Sequence, residues 1–169
     1  MPDDALDQPP GSQRSITSLG SPPPPVMSPG QYLRLRREAA GLSLDDVALF
    51  TDTWPTHVSA RSRAELLALV EQDMMVIDAG LVDALRAAAA HGMIAFDPAV
   101  LFQLVAIHAG AEIASPDLCR TCGCSWSDPC VDEGGGGCGW ACGEADLCTA
   151  CLDRAVEARA VPVAAAAAA

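Results

Sequence analysis

Apolar residues recur at helical spacing through the middle of the chain, and the residues around them mark where helices begin and end. A first helix is predicted after the capping residue Ser28, with Pro29 at its first position and Gly41 just beyond its end. Ser43 is placed to cap a second helix, and Asp46 favours the positive end of that helix. These two helices, joined by a short turn, are the most strongly specified part of the chain.

Three further helices follow a break in the pattern. Residues 51–61 are predicted to be irregular, because the proline of Trp54-Pro55 disfavours a helical residue before it. The next helices are predicted over about 62–72, over about 79–90 after Asp78, and from Pro98 to near Gly110. Five short helices over residues 28–112 predict a mainly α, five-helix bundle.

The segments outside this bundle differ from it in composition. Residues 1–27 are rich in proline, with a run at Pro22–Pro25, and hold too few large apolar groups to offset the entropy of ordering. We therefore expect a disordered N-terminal arm. Residues 117–153 form a separate cysteine-rich module, and residues 154–169 form an alanine-rich tail to which no role is assigned. The end of this tail, from Val163, is expected to be a frayed helix or coil.

The charge composition narrows the possible functions. The chain has 22 acidic and 10 basic residues, for a net charge of −12, and every basic residue is arginine. This excludes a uniformly basic nucleic-acid binder, so any DNA contact must come from a local cluster of arginines. No apolar run reaches the roughly 18 residues that span a bilayer, and the acidic start of the chain lacks the apolar core of a secretion signal. We expect no membrane association and a location in the reducing cytoplasm.

Residues 32–48, YLRLRREAAGLSLDDVA, resemble the opening of phage-repressor-like (Xre/Cro-type) helix-turn-helix domains. The resemblance implies about five helices, with the third in the DNA major groove. It also implies a phage-type transcriptional regulator or DNA-binding accessory protein, with DNA, a protein partner or a second copy of the chain as candidate partners. The candidate DNA-binding residues are arginines of the first helix and of the start of the third: Arg34, Arg36, Arg37, Arg61 and Arg63.

The chain departs from that family where base recognition is decided. The connection over 51–61 replaces a short turn, and the candidate recognition helix offers Glu65, Glu71 and aliphatic side chains in place of basic ones. Residues 30–92 hold six arginines and nine acids, a poor balance for a surface that follows phosphates. The helix-turn-helix is therefore expected to be degenerate, and a protein-interaction adaptor that does not bind DNA is a second interpretation.

All eight cysteines lie between Cys119 and Cys151. In a reducing compartment such a cluster indicates a metal site rather than disulfides. Two CxxC pairs can each bring two thiolates to one tetrahedral Zn²⁺ ion. The first predicted zinc site comprises both CxxC pairs, Cys119, Cys122, Cys148 and Cys151. Trp126 and Trp140 are expected to form the small core around the metal.

The remaining cysteines allow a second zinc ion. They are Cys124, Cys130, Cys138 and Cys142. The pairing stays open, because Cys119 and Cys122 can equally combine with Cys138 and Cys142, and the inner four can be buried thiols around a single ion. The pattern CxxCGC…GGCxW…DLCxxC is similar to cysteine-rich tails of phage and prophage proteins, and this resemblance implies metal binding.

No catalytic constellation accompanies the cysteines. The histidines, His57, His91 and His108, all precede the module, so a hydrolytic zinc site with histidine ligands and a nearby base is not expected. The cysteine spacing differs from the evenly spaced runs of ferredoxins. Residues 134–137 do not form a phosphate-binding loop, because no Gly-Lys-Ser/Thr follows. We expect a non-enzyme without a small-molecule substrate, and a thiol-based metal or redox sensor is a third interpretation.

Overall fold

The chain is mainly helical in a computed structural model, which describes residues 26–131 and 135–166, with side chains as far as Arg159. Six helices lie in these ranges: α1 (Pro29–Ala39), α2 (Leu44–Phe50), α3 (Ala60–Glu71), α4 (Ala79–Ala90), α5 (Pro98–His108) and α6 (Thr149–Ala166). The same ranges contain no strand. None of these helices is both long and apolar enough to cross a bilayer.

The five helices predicted between residues 28 and 112 are confirmed, with caps formed by the residues that the sequence indicates. Ser28 caps α1, and Ser43 and Asp46 form a reciprocal capping box at the start of α2. Gly41 closes α1 in the left-handed conformation, with φ of +70°, which glycine adopts without the steric cost of a Cβ.

The helices differ from the prediction in two places. The helix α3 begins at Ala60, behind the capping residue Ser59, and so starts earlier than expected. A sixth helix, α6, begins inside the predicted module (residues 117–153) and continues into the residues expected to form an alanine-rich tail. The disordered arm predicted for residues 1–27 lies outside the described residues, apart from its last two positions.

Helices α1–α5 enclose an apolar core. Its largest fully buried side chains include Tyr32, Leu81, Leu85, Leu101 and Leu104. Trp54 is also buried in this core, although it belongs to the irregular connection between α2 and α3. It packs against Gly80, where a Cβ would lie 2.9 Å from the indole Cδ1. The long connection is therefore a packed part of the domain.

A buried arginine of α1, Arg36, fixes the cysteine module to the helical domain. Its side chain is only 3% exposed and donates three hydrogen bonds, to the carbonyl of Ala95 (2.9 Å), the carbonyl of Cys122 (3.4 Å) and the carboxylate of Asp128 (2.7 Å). The module also approaches α1 closely at Gly123, where a Cβ would lie 3.2 Å from Cδ of Arg36. One side chain therefore joins the helical domain to two points of the module.

Candidate metal centre

A tight turn over residues 119–124 gathers the first three cysteines. The N–H of Gly123 donates to the carbonyl of Cys119 (2.8 Å), and the N–H of Cys119 donates to the carbonyl of Cys124 (3.0 Å). Gly123 has a φ of +70°, a conformation that residues with a Cβ rarely adopt. The turn therefore places the sulfurs of Cys119, Cys122 and Cys124 close together.

A small loop brings the next two cysteines to the same place. Val131 and Gly137 form an isolated antiparallel bridge, and Cys130 and Cys138 lie beside it. The N–H of Cys138 donates to the carbonyl of Cys130 (2.8 Å), and the N–H of Cys130 donates to the sulfur of Cys138 (3.2 Å). A backbone N–H of this loop thus hydrogen-bonds to the sulfur of Cys138, a candidate ligand in the same loop.

Cys148 lies immediately before α6 and contacts the turn formed by residues 119–124. It forms an antiparallel bridge with Trp140, and its N–H donates to the sulfur of Cys119 (3.5 Å). Backbone N–H groups that point at sulfur stabilise its thiolate form. The start of α6 is therefore positioned by the same contacts that complete the cluster.

These turns produce two overlapping groups of four cysteines, and within each group all sulfurs lie within 4.8 Å of one another. The first group is Cys119, Cys122, Cys124 and Cys148, and the second is Cys124, Cys130, Cys138 and Cys148. All eight cysteines are free thiols. Three sulfur pairs lie 3.4–3.7 Å apart: Cys122–Cys130 (3.4 Å), Cys124–Cys138 (3.6 Å) and Cys122–Cys148 (3.7 Å). Two thiolates on one tetrahedral zinc lie about 3.8 Å apart, so these distances suit a metal ion.

The grouping differs from the predicted one at two cysteines. The CxxC pairs predict Cys151 in the first site, but the first group contains Cys124 instead. Cys151 is buried in the first turn of α6, where Nη2 of Arg154 donates to its sulfur (3.1 Å). Cys142, predicted for the second site, is exposed and belongs to neither group, whereas Cys148 belongs to both. Only cysteines form these two groups, as far as the described residues extend.

Protons are shared among the crowded sulfurs. Hydrogen bonds from Cys122 and Cys124 hold the pKa of Cys119 far below its ordinary value, and hydrogen bonds from the same two thiols lower the pKa of Cys130 to about 2. The same hydrogen bonds to Cys119 raise the pKa of Cys122 and of Cys124. The crowded sulfurs thus shift one another's pKa values in opposite directions, and a divalent cation that binds them as thiolates displaces their protons.

Two arginines place positive charge beside the sulfurs. Burial lowers the pKa of Arg36, but the negative charges around it, Asp128 first, raise it by more. Arg154 donates to Cys151, and the surrounding sulfurs likewise raise its pKa against the effect of burial. Burial raises the pKa of Asp128 despite the ion pair with Arg36. Both guanidinium groups therefore stay charged and offset part of the negative charge of the thiolates.

The two tryptophans of the module have different environments. Trp140 is half-buried and packs against the sulfurs, and it meets Trp126 edge-to-face with ring centroids 6.2 Å apart. Trp126 itself is 72% exposed, so the prediction that both tryptophans form the core is wrong for this residue. The core of the module consists of the sulfurs with Leu147, Trp140 and Ala150 around them.

Three of the five arginines predicted to contact DNA are engaged inside the protein. Arg36 joins the module to the helical domain, as described above. Arg37 makes a two-point ion pair with Glu71 of α3 (2.6 and 2.8 Å). Arg63 is 5% exposed and donates to the carbonyl of Ala48 (2.7 Å) and to two further backbone carbonyls. Their guanidinium groups hold the fold together rather than face a ligand.

The other two predicted arginines, Arg34 and Arg61, are exposed. Arg61 lies 3.6 Å from the carboxylate of Glu65. Arg61 and Glu65 line a groove between α2 and α3, together with Asp45 and small or apolar side chains. This groove thus carries two acids and one arginine.

Comparison with protein-family models, with curated proteins and with solved structures found no match to this chain. The likeness to phage-repressor-like domains therefore rests on residues 32–48 alone. Function is accordingly inferred from the chemistry of the site and its surroundings.

Proposed function

We propose that the cysteine cluster binds zinc and that the metal is structural, folding residues 118–151 and fixing them to the helical domain. The observation that carries this proposal is the pair of four-sulfur groups, formed by free and mostly buried cysteines. Thiolates at such short distances repel one another, and a shared cation removes that repulsion. Binding therefore favours the folded arrangement over the unfolded chain, which has no preformed site.

The donor set favours zinc and a closed site. Zinc accepts four thiolates in a tetrahedral arrangement, whereas calcium and magnesium prefer oxygen ligands. Four thiolates on one zinc leave no open position for water or substrate. The metal then has no catalytic function, and the protein acts by binding rather than by catalysis. Free thiols also suit a reducing compartment such as the cytoplasm.

Removing the metal with a chelator under reducing conditions is expected to unfold the module. Structural zinc contributes on the order of 10–16 kcal/mol in zinc-finger peptides at neutral pH. The apolar core of this module is small, since it consists largely of the sulfurs themselves. Amide hydrogen exchange should become fast over residues 118–151 after chelation. Adding Zn²⁺ should restore the protection from exchange, whereas adding Mg²⁺ should not. If chelation leaves the exchange rates unchanged, the proposal is contradicted.

For the whole protein we propose an adaptor that binds another protein rather than a regulator that binds DNA. Only Arg34 and Arg61 remain exposed among the candidate DNA contacts, in a chain of net charge −12. In contrast, the module exposes apolar side chains at Trp126 (72%) and Val131 (67%). Tryptophan is enriched among the residues that dominate binding energy at protein interfaces. These features support a protein partner.

The adaptor proposal predicts no binding to generic duplex DNA at about 50 mM salt, where phosphate contacts are strong. Fluorescence anisotropy of a labelled duplex measures this directly. The matched variant carries Arg34→Glu and Arg61→Glu, which reverse the two exposed charges without touching the buried arginines. If the natural chain binds the duplex and the variant does not, the adaptor proposal is contradicted and the helix-turn-helix regulator is favoured.

A further inference from the structure

The two four-sulfur groups have two members in common, Cys124 and Cys148. We propose that the cluster binds two zinc ions bridged by the thiolates of these two residues. The other four thiolates are terminal ligands, Cys119 and Cys122 on the first ion and Cys130 and Cys138 on the second. This inference rests on the proposed function, that the cysteines hold metal, and specifies the number of ions and the ligands of each.

Six sulfurs are the number that two bridged ions require. A tetrahedral zinc needs four sulfur bonds, so two ions need eight. Four terminal thiolates supply one bond each, and two bridging thiolates supply two each. Two separate sites would need eight cysteines, but only six belong to the four-sulfur groups.

The shared sulfurs lie where bridging ligands must lie. Cys124 and Cys148 are each within 4.8 Å of every other sulfur in the two groups. The sulfur of Cys124 is 3.6 Å from Cys138 of the second group, and that of Cys148 is 3.7 Å from Cys122 of the first. Cys122 and Cys130, terminal ligands of different ions in this arrangement, are 3.4 Å apart and have to separate when both ions bind. The two groups share two sulfurs, which two independent ions would not do.

Burial and charge favour a second ion. Cys124 and Cys148 are each 1% exposed, so the proposed bridges lie at the centre of the cluster. Six thiolates around one dication would leave a large negative charge in a mostly buried place, which is costly. A second dication halves that charge. Arg36 and Arg154, which donate to the carbonyl of Cys122 and the sulfur of Cys151, offset part of the remainder.

The two cysteines outside the groups are not ligands in this arrangement. Cys142 is exposed. Cys151 is buried and accepts a hydrogen bond from Arg154 (3.1 Å); its sulfur also contacts those of Cys122 and Cys148, but it lies outside both groups. In the bridged arrangement Cys151 is not a ligand. In two independent sites built on the CxxC pairs, Cys151 would be a ligand.

The test uses the full-length chain, stripped of metal under reductant and reloaded with cadmium-113, which replaces zinc at thiolate sites. Native mass spectrometry is expected to show two cadmium ions per chain. Cadmium-113 NMR is expected to show two resonances, each split by coupling to the other ion through the shared sulfurs. Both measurements use the natural sequence, so they do not depend on the folding of any variant.

Three single substitutions assign the ligands. Cys151→Ser and Cys142→Ser should each retain two ions and the cadmium–cadmium coupling. Cys138→Ser, which removes a terminal ligand of the second ion only, should retain one ion and lose the coupling. The number of ions is again read by native mass spectrometry.

The outcomes separate this inference from the proposed function. One ion per chain, or two ions without coupling, overturns the bridged arrangement while leaving metal binding intact. Loss of an ion in Cys151→Ser overturns it as well. A chain that binds no cadmium under reducing conditions overturns the proposed function together with the inference.

Discussion

Cys148→Ser is expected to lose the bound metal and the fold of the module, the largest effect of any single substitution. Cys148 belongs to both four-sulfur groups, is 1% exposed and directs its N–H at the sulfur of Cys119. The structural zinc that such a site holds contributes about 10–16 kcal/mol in small peptides, as much as the whole stability of an ordinary domain. Elemental analysis of the metal and hydrogen exchange over residues 118–151 measure the loss.

Cys142→Ser is the matched control, because it makes the same chemical change at an exposed cysteine outside both groups. A surface change of this kind is expected to alter stability by no more than about 0.5 kcal/mol. Equal metal content in the two variants, or metal lost only from Cys142→Ser, would show that the cluster is assigned to the wrong sulfurs.

Arg36→Met is expected to destabilise the protein by about 3–5 kcal/mol, the usual effect of removing one partner of a buried ion pair. The substitution keeps much of the apolar stem of the side chain but removes its three hydrogen bonds. It leaves the carboxylate of Asp128 and the carbonyls of Ala95 and Cys122 without their donor. Denaturant unfolding of the metal-loaded chain measures the change in free energy.

The control for this prediction is Arg34→Met, an exposed arginine of the same helix. Its expected effect is within about 0.5 kcal/mol. In a double-mutant cycle, Asp128→Asn should cost much less on the Arg36→Met background than on the natural one, because the two residues interact directly. Equal costs on both backgrounds, or an Arg36→Met variant as stable as the Arg34→Met variant, would show that the junction does not depend on this ion pair.

The helices were predictable because their signals are local. Ser28, Ser43 and Gly41 act within one turn of the residues that they cap, so the sequence alone places α1 and α2. The connection between α2 and α3 was also predicted to be irregular. Its packing was not predicted, because the burial of Trp54 against Gly80 joins residues far apart in the chain.

The location of the cysteine cluster was predictable, but the grouping of its sulfurs was not. Clustered cysteines between Cys119 and Cys151 identify the segment. Spacing alone favours the two CxxC pairs, yet the structure places Cys124 with the first pair because Gly123 turns the chain back on itself. That glycine, directly between two cysteines, was the available signal. The hydrogen bond from Arg154 to Cys151 depends on α6, which the sequence pattern did not predict as an element of the module.

The arginines show why charge in a sequence does not locate a binding surface. Arg36 follows the buried Tyr32 by four residues, so it shares the inward face of α1, and this spacing was the signal that it is internal. Arg37 and Arg63 are engaged by Glu71 and by backbone carbonyls, contacts between helices that no local pattern reveals. Runs of basic residues on a helix can therefore serve the fold.

The central claim is that thiolate-bound zinc holds the C-terminal module together. Its most direct test is the zinc content and thiol state of the full chain, isolated under reducing conditions without added metal. The account predicts bound zinc and eight cysteines that all react as free thiols after denaturation and chelation. Metal-free protein that keeps residues 118–151 protected from exchange, or cysteines recovered as disulfides, would contradict it.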